Sequence, residues 1–179
     1  LDFNPIGLIY AGAQKNMGPA GVTMVIIRDD ILGKADRHIP TMLDYRTHID
    51  KGSAFNTPPV SAIFVVNRTL SWLDDLGGVQ AIEEKNRMKA DKLYDEIERN
   101  LLFKSPIAEE DRSLMNVPFV FVENRDDNEF LDFCADRGLM TLKGHRSVGG
   151  FRASIYNAMP EAGVDALIAA MREYESQRS

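Results

Sequence analysis

The sequence contains a single cysteine, three histidines and fewer basic than acidic side chains. One cysteine, Cys134, excludes an internal disulfide and a cysteine-based zinc site, and it fits a reducing compartment such as the cytoplasm. The three histidines are too scattered for metal-ligand spacing, so we expect no metal site. The formal net charge of −6 argues against binding to a nucleic-acid backbone.

Long apolar runs are also absent. No stretch approaches the roughly 20 consecutive apolar residues of a membrane span, and no charged-then-apolar leader opens the chain. We therefore expect no membrane association. The chain begins with Leu1 instead of Met, and an apolar run follows within a few residues, so we expect a fragment or a processed chain.

The apolar content is sufficient for a real core, since 44% of the 179 residues are hydrophobic. Residues 6–10 and 22–27 are short, apolar and rich in β-branched side chains, which predicts two buried strands. Roughly ten residues separate them, too few for a helical crossover, so direct pairing would be antiparallel. Residues 29–54 are polar and without periodicity, which indicates a long irregular segment.

Two helices are predicted next. Thr57 is a suitable N-cap, Pro58 suits a first helical turn, and Gly77 and Gly78 would end that helix. Apolar side chains at helical spacing then predict a long amphipathic helix over residues 79–101, which would link two domains.

The last third of the chain interleaves strands and helices. Strands are predicted at residues 117–122, 139–142 and 151–155, and helices near residues 129–137 and 164–174. This pattern is typical of a small α/β sandwich with helices on one face of its sheet.

A lone lysine, Lys15, lies between the two predicted N-terminal strands in the stretch "AGAQKNMGPAG". The surrounding glycines and alanines let backbone and ligand approach closely. Such a lysine is placed to form an imine, but it would need desolvation or neighbouring cations, because about one free lysine in a thousand is neutral at pH 7.4. The alternative is a solvated loop lysine, the commonest environment of this residue.

Two other stretches favour anions. Asn56 and Thr57 precede the predicted helix, where unpaired N–H groups and the helix dipole favour phosphate, although helix capping alone is the alternative. His145, Arg146 and Arg152 lie in or beside a glycine-rich stretch, and the planar fork of arginine suits carboxylate and phosphate. Solvated or surface-paired arginines are the alternative there.

The blocks "YAGAQKNMGPAG", "FNTPPV" and "LKGHRSVGGFRASIYNAMP", together with their spacing, resemble the C-terminal half of the phosphoserine aminotransferase family. The resemblance covers nearly the whole chain. It implies an α/β fold in which residues 1–78 form the end of the large domain of a fold-type I enzyme dependent on pyridoxal 5'-phosphate. Residues 79–179 would form the small C-terminal α/β sandwich domain.

The same resemblance implies the cofactor site. Lys15 would form the covalent link to pyridoxal 5'-phosphate, and Gln14 would contact its phosphate. Asn56 and Thr57 would reach the cofactor phosphate of the partner subunit, which implies a homodimer with shared active sites.

The resemblance also implies the substrate site and the reaction. His145 and Arg146 would bind the substrate phosphate, and Arg152 would hold the α-carboxylate. The enzyme would transfer an amino group from glutamate to 3-phosphohydroxypyruvate in serine biosynthesis, with Lys15 moving the α-proton. Use of a second phosphorylated substrate, from vitamin B6 synthesis, stays open.

Family members are about twice as long, and the absent half carries the ring stacked on the cofactor, the aspartate paired with its pyridine nitrogen and most of the phosphate-binding groups. We therefore expect these 179 residues alone to be inactive as an aminotransferase. We also expect the two N-terminal strands to have an exposed edge.

Three alternatives remain. Another fold-type I enzyme, such as a cysteine desulfurase or a different aminotransferase, would share Lys15 but would give His145 and Arg146 no phosphate to bind. A non-catalytic interaction domain would lose nothing on replacement of Lys15. A plain α/β domain with an incidental lysine would require all three sequence blocks to be coincidences.

Overall fold

The computed structural model describes residues 2–146 and 148–178. The chain forms two compact units, Leu1–Asp74 and Asp75–Ser179. Their assignment as parts of a large domain over residues 1–78 and a small domain over residues 79–179 stays a prediction. Among the described residues, no helix is long and apolar enough to cross a membrane.

The first unit opens with two paired strands, β1 (Leu8–Gly12) and β2 (Thr23–Ile27). They are antiparallel, as predicted, in a register that runs from Leu8 opposite Ile27 to Gly12 opposite Thr23. The predicted burial is wrong, because no residue of either strand is buried. A two-stranded sheet leaves its edges and faces uncovered unless further strands or helices pack on it, so the expected exposed edge is confirmed for the described residues.

The irregular segment that follows contains two single-turn 3-10 helices, Asp29–Ile31 and Thr41–Leu43, and one short α-helix, α1 (Tyr45–Ile49). It leads to α2 (Val60–Asp75). The prediction that Thr57 caps this helix is wrong, because α2 begins at Val60 and its first carbonyl acceptor is Pro59, which receives a hydrogen bond from the N–H of Ile63. Two successive prolines explain the shift, since a residue that precedes proline avoids helical angles.

The second unit begins with α3 (Gly78–Arg99), which confirms the long amphipathic helix. Gly77 precedes it at φ +101°, a left-handed conformation that glycine adopts without steric cost. The strand β3 (Phe103–Lys104) follows directly. Sequence reasoning missed β3, because two residues are too few to show an alternating pattern.

Three antiparallel strands form the sheet of this unit in the order β3, β4, β5, with β4 at Asn116–Phe121 and β5 at Phe151–Ser154. Two more helices complete it, α4 (Asp127–Ala135) and α5 (Glu161–Ser176). Alternate residues of β4 and β5 are buried in one core with residues of all three helices. The predicted sandwich, with helices on one face of the sheet, is therefore confirmed.

The strand predicted at residues 139–142 is wrong. Lys143, directly after this segment, makes one isolated bridge with Phe151 of β5, and the carbonyl of Leu142 accepts a hydrogen bond from the N–H of Arg152 at 2.7 Å. Thr141 has φ +63°, a left-handed conformation that interrupts an extended backbone. A β-branched residue in that conformation could not have been inferred from the apolar pattern.

A buried carboxylate joins α3 to α5. The Glu96 side chain is fully buried and accepts hydrogen bonds from Arg99 at 2.6 Å, from Asn100 at 3.0 Å and from Arg172 of α5 at 2.7 Å. Burial alone would raise the pKa of Glu96, but these three donors outweigh burial and hold the pKa below its ordinary value. Ionised Glu96 therefore stabilises this unit.

Glu96→Gln is expected to lower the free energy of unfolding by about 2 kcal/mol at pH 7, because charge-assisted hydrogen bonds are lost. A carboxyl group whose pKa is depressed by folding contributes stability above its unfolded pKa, and this contribution disappears as the pH falls through the folded pKa. Urea unfolding should therefore show the difference between wild type and variant shrinking from pH 7 to pH 3. The exposed neighbour Asp95 provides the control, Asp95→Asn. A difference that is the same at both pH values would contradict this role of Glu96.

Candidate active site

Lys15 lies in a tight turn at the end of β1. The buried residue Ala13 organises this turn, because its carbonyl accepts hydrogen bonds from the N–H groups of Lys15 at 2.6 Å and Gly18 at 2.8 Å. The N–H of Ala13 donates to the carbonyl of Val22 at 2.9 Å, which joins the turn to the residue preceding β2. Lys15 is exposed on this turn.

The turn packs against α2 through a glycine. A Cβ atom on Gly18 would lie 2.8 Å from Cγ2 of Val66 and 3.4 Å from its Cα, so no larger residue fits without a shift. Val66 lies less than two turns into α2, and the segment that leads into this helix carries Asn56 and Thr57. The position of the lysine turn is therefore fixed against the helix that follows these two residues.

The remaining predicted cofactor-site residues of the first unit are polar and exposed. Gln14 directly precedes Lys15 in the turn. Asn56 and Thr57 are exposed, and the side-chain amide of Asn56 donates to the Thr57 carbonyl at 3.4 Å. Since α2 begins only at Val60, the capping interpretation of Thr57 does not describe this structure.

The second unit carries Arg152 on the face of its sheet opposite the helices. Arg152 lies opposite Pro118, and Ser154 lies opposite Asn116. The Oδ1 atom of Asn116 accepts hydrogen bonds from the hydroxyl groups of Ser154 at 3.5 Å and Tyr156 at 3.3 Å. Arg152 therefore has a polar cluster next to it on the same sheet face.

One donor atom of Arg152 has no hydrogen-bond partner in the part of the chain that the structure describes. Its Nε is buried, and no hydrogen-bond acceptor among the described residues pairs with it. Buried donors in native proteins are nearly always paired, so a lone one calls for an explanation. A bound carboxylate would supply the acceptor.

His145 and Arg146 are exposed on a closed loop directly before β5. The N–H of Gly144 donates to the carbonyl of Gly150 at 2.8 Å, which closes the loop, and the carbonyl of His145 accepts from the N–H groups of residues 148 and 149. Gly150 has φ +58°, and a Cβ on it would lie 2.6 Å from Cγ1 of Val120 and 2.7 Å from the carbonyl oxygen of residue 119. This close approach joins the loop that carries His145 and Arg146 to β4. Position 147 lies outside the described residues.

The predicted site residues thus fall into two groups. Gln14, Lys15, Asn56 and Thr57 belong to the first unit, and His145, Arg146 and Arg152 belong to the second. The roles that the sequence analysis assigns to them stay predictions.

Residues 1–167 match the family described as Aminotransferase class-V. The chain belongs to this family. A phosphoserine aminotransferase of Parabacteroides distasonis is 54% identical over 179 residues, which are 99% of this chain and 50% of that relative. The chain spans about half the length of the curated relatives it matches.

Solved structures agree with the class-V aminotransferase assignment. The phosphoserine aminotransferase of Bacillus circulans subsp. alkalophilus superposes with a TM-score of 0.94 at 42% identity, over 100% of this chain and 50% of that one. A PLP-bound phosphoserine aminotransferase from Trichomonas vaginalis gives a TM-score of 0.90 at 44% identity, over 96% of this chain and 49% of that one. The predicted family resemblance and the fold-type I class are therefore confirmed.

Sequence reasoning missed part of the polar surface around Arg152 in this class-V aminotransferase chain. Asn116 and Tyr156 reach the same sheet face only because β4 and β5 pair in one register. The polar residue at the start of the apolar β4 pattern was the one available signal, and a single sequence does not show which strand lies opposite it.

Gly150→Ala is expected to destabilise the second unit by about 3 kcal/mol, because left-handed strain adds to an overlap with the backbone of β4. Gly138→Ala is the matched control, since Gly138 has φ +75° and nothing lies within 4 Å of its potential Cβ. The control should lose only about 1 kcal/mol, the cost of left-handed strain. Urea unfolding of both variants measures the difference in the free energy of unfolding. Equal losses would show that the close approach of Gly150 to β4 does not contribute to stability.

Proposed function

We propose that this chain is part of a phosphoserine aminotransferase. The intact enzyme would transfer an amino group from glutamate to 3-phosphohydroxypyruvate and give phosphoserine and 2-oxoglutarate. The observation that carries the proposal is the buried, unpaired Nε of Arg152, in the same unit as the exposed His145–Arg146 loop. Separate cationic groups for a carboxylate and a phosphate suit a doubly anionic substrate. The 54% identity to a phosphoserine aminotransferase supports the same choice.

The residues of the first unit fit pyridoxal 5'-phosphate. Lys15 offers an exposed amine on a rigid turn, and the close approach at Gly18 keeps this turn free of bulk. Gln14, Asn56 and Thr57 offer exposed polar groups for a phosphate. Lys15 would hold the cofactor covalently through Nζ, and the bound cofactor would supply the electron sink that transamination requires.

The chain's own residues would then bind the substrate and move one proton. Arg152 would bind the α-carboxylate through its guanidinium fork, and His145 and Arg146 would bind the phosphate. Two fixed anchors leave the substrate little freedom to turn, so its Cα–H bond is held in one direction. Once the substrate amine has taken its place on the cofactor, the released Nζ of Lys15 would accept the α-proton from Cα and pass it to the cofactor, and it would move the proton back in the reverse reaction.

The proposal includes features that the family resemblance implies for the intact enzyme. These are a homodimer with shared active sites, to which Asn56 and Thr57 contribute across the interface, and a cytoplasmic location. The 179 residues alone would bind cofactor weakly and would not turn over, because the relatives are twice as long.

Lys15→Ala tests the cofactor role. The chain is joined to the half of the Parabacteroides distasonis relative that it does not cover, and glutamate-dependent formation of phosphoserine is measured. We expect turnover by this chimaera, none by Lys15→Ala, and normal turnover by Lys34→Ala, which replaces another exposed lysine of the same unit. Borohydride reduction with pyridoxal phosphate and peptide mapping should place a pyridoxyl group on Lys15. Turnover by Lys15→Ala, or a label elsewhere, would refute this assignment. Robust turnover by the 179 residues alone would refute the expectation that they are inactive without the other half.

Arg152→Lys tests the carboxylate anchor. Lysine keeps the charge but lacks the planar fork, so we expect the KM for phosphoserine in the chimaera to rise about a hundredfold. Arg172→Lys serves as the control, because Arg172 pairs with Glu96 on the other side of the core. A KM that stays within twofold of wild type in Arg152→Lys would remove Arg152 from the substrate site. Activity of the chimaera on alanine or cysteine is compared with its activity on phosphoserine. Higher activity on alanine or cysteine would indicate another enzyme of the same fold.

A further inference from the structure

A second lysine, Lys89, lies inside the second unit and takes no part in the roles proposed above. Its side chain projects from α3 and is only 3% exposed. The ammonium group donates hydrogen bonds to three backbone carbonyls, those of Tyr156 at 2.9 Å, Met159 at 3.0 Å and Ile155 at 3.3 Å. All three donors of the ammonium group are thus used on the short connection between β5 and α5.

Burying this charge is costly. Among the described residues no carboxylate forms an ion pair with Lys89, and burial lowers its pKa below the ordinary lysine value. A methionine of similar length would avoid the desolvation cost but could not bind the three carbonyls. The charged group therefore contributes three hydrogen bonds that bring these carbonyls together.

The connection at residues 155–159 is fixed from two sides. From α3, Asn86 adds a 2.8 Å hydrogen bond from its side-chain amide to Oδ1 of Asn157. From the sheet, the carbonyl of Met115 accepts from the N–H of Ile155 at 2.9 Å, and the hydroxyl of Tyr156 reaches Asn116. The end of β5 therefore has one defined position between α3 and β4.

This position sets the surroundings of Arg152. The hydroxyl groups of Tyr156 and Ser154 meet on one oxygen of Asn116, on the sheet face that carries Arg152. If the connection shifts, the hydroxyl of Tyr156 no longer reaches Oδ1 of Asn116. The end of β5 then loses a contact that holds the sheet face of Arg152 and Ser154 in place. The unpaired Nε of Arg152 then loses its fixed direction.

We propose that Lys89 is a positioning residue for the carboxylate site at Arg152, acting through the backbone carbonyls of residues 155, 156 and 159. The inference rests on the proposed function, because it needs Arg152 to bind the substrate. Lys89 itself does not touch the substrate.

Lys92 provides a matched control on the same helix. Its ammonium group also reaches across from α3, but it is partly exposed and pairs with two carboxylates of α5, Glu161 and Asp165. It therefore joins two helices at the surface, and both of its carboxylate partners lie in α5, outside the β5 connection. Loss of a lysine contact from α3 is common to both substitutions, whereas loss of the three carbonyl contacts belongs to Lys89 alone.

The experiment compares Lys89→Met and Lys92→Met in the same chimaera. With Lys89→Met we expect the KM for phosphoserine to rise about tenfold while kcat stays within about twofold, the pattern of lost ground-state positioning. With Lys92→Met both constants should stay within about twofold of wild type. A Lys89 whose role is only structural would reduce the amount of folded enzyme, which lowers apparent kcat and leaves KM unchanged, and that result would overturn the proposal.

A second variant decides the matter if Lys89→Met does not fold. Tyr156→Phe keeps the ring and removes only the hydroxyl that links the connection to Asn116, and it should raise the same KM about threefold. An unchanged KM in this variant would overturn the proposal. A wild-type chimaera without turnover would overturn both the proposed function and this inference. An active wild-type chimaera with an unchanged KM in Lys89→Met would overturn the inference alone.

Discussion

The antiparallel pairing of β4 with β5 determines both the core and the polar face of the second unit. Because side chains alternate along a strand, this register sends Phe151 and Ala153 into the core and places Arg152 and Ser154 on the opposite face. A slip of one residue would bury Arg152 and expose Phe151. The aromatic core therefore fixes the orientation of the arginine, because a slip of one residue would turn the phenylalanines of one strand away from the core.

The helices of this unit contribute two buried charges that are satisfied in different ways. Glu96 is surrounded by Arg99 of α3, Arg172 of α5 and the amide of Asn100 directly after α3, so its charge stabilises the contact between these helices. The ammonium group of Lys89 binds neutral carbonyls, so its charge contributes less free energy to folding than that of Glu96. Its effect is to fix the path of the backbone. Both residues lie on α3. Glu96 stabilises the packing of α3 against α5, and Lys89 positions the backbone beside Arg152.

Close backbone contacts stabilise the first unit more than a buried apolar core does. Gly18 lets the lysine turn contact Val66, and the carbonyl of Ala13 binds two N–H groups of the same turn. The strands on either side contain no fully buried residue, in a chain that spans half the length of its relatives. A rigid turn on a largely uncovered sheet explains why Lys15 has a defined backbone position even though its surroundings are open.

By itself the sequence determined which residues belong to the candidate site and most of the elements that carry them, because short blocks around Lys15, Thr57 and Arg152 hold that information locally. It misplaced the start of α2 and predicted a strand at residues 139–142, since the effects of Pro59 and the left-handed Thr141 depend on backbone conformation. Only the tertiary structure decided which residues support Arg152. The contacts of Lys89 join residues 66 to 70 positions apart, and such pairings depend on strand register and helix packing, which leave no local pattern in the sequence.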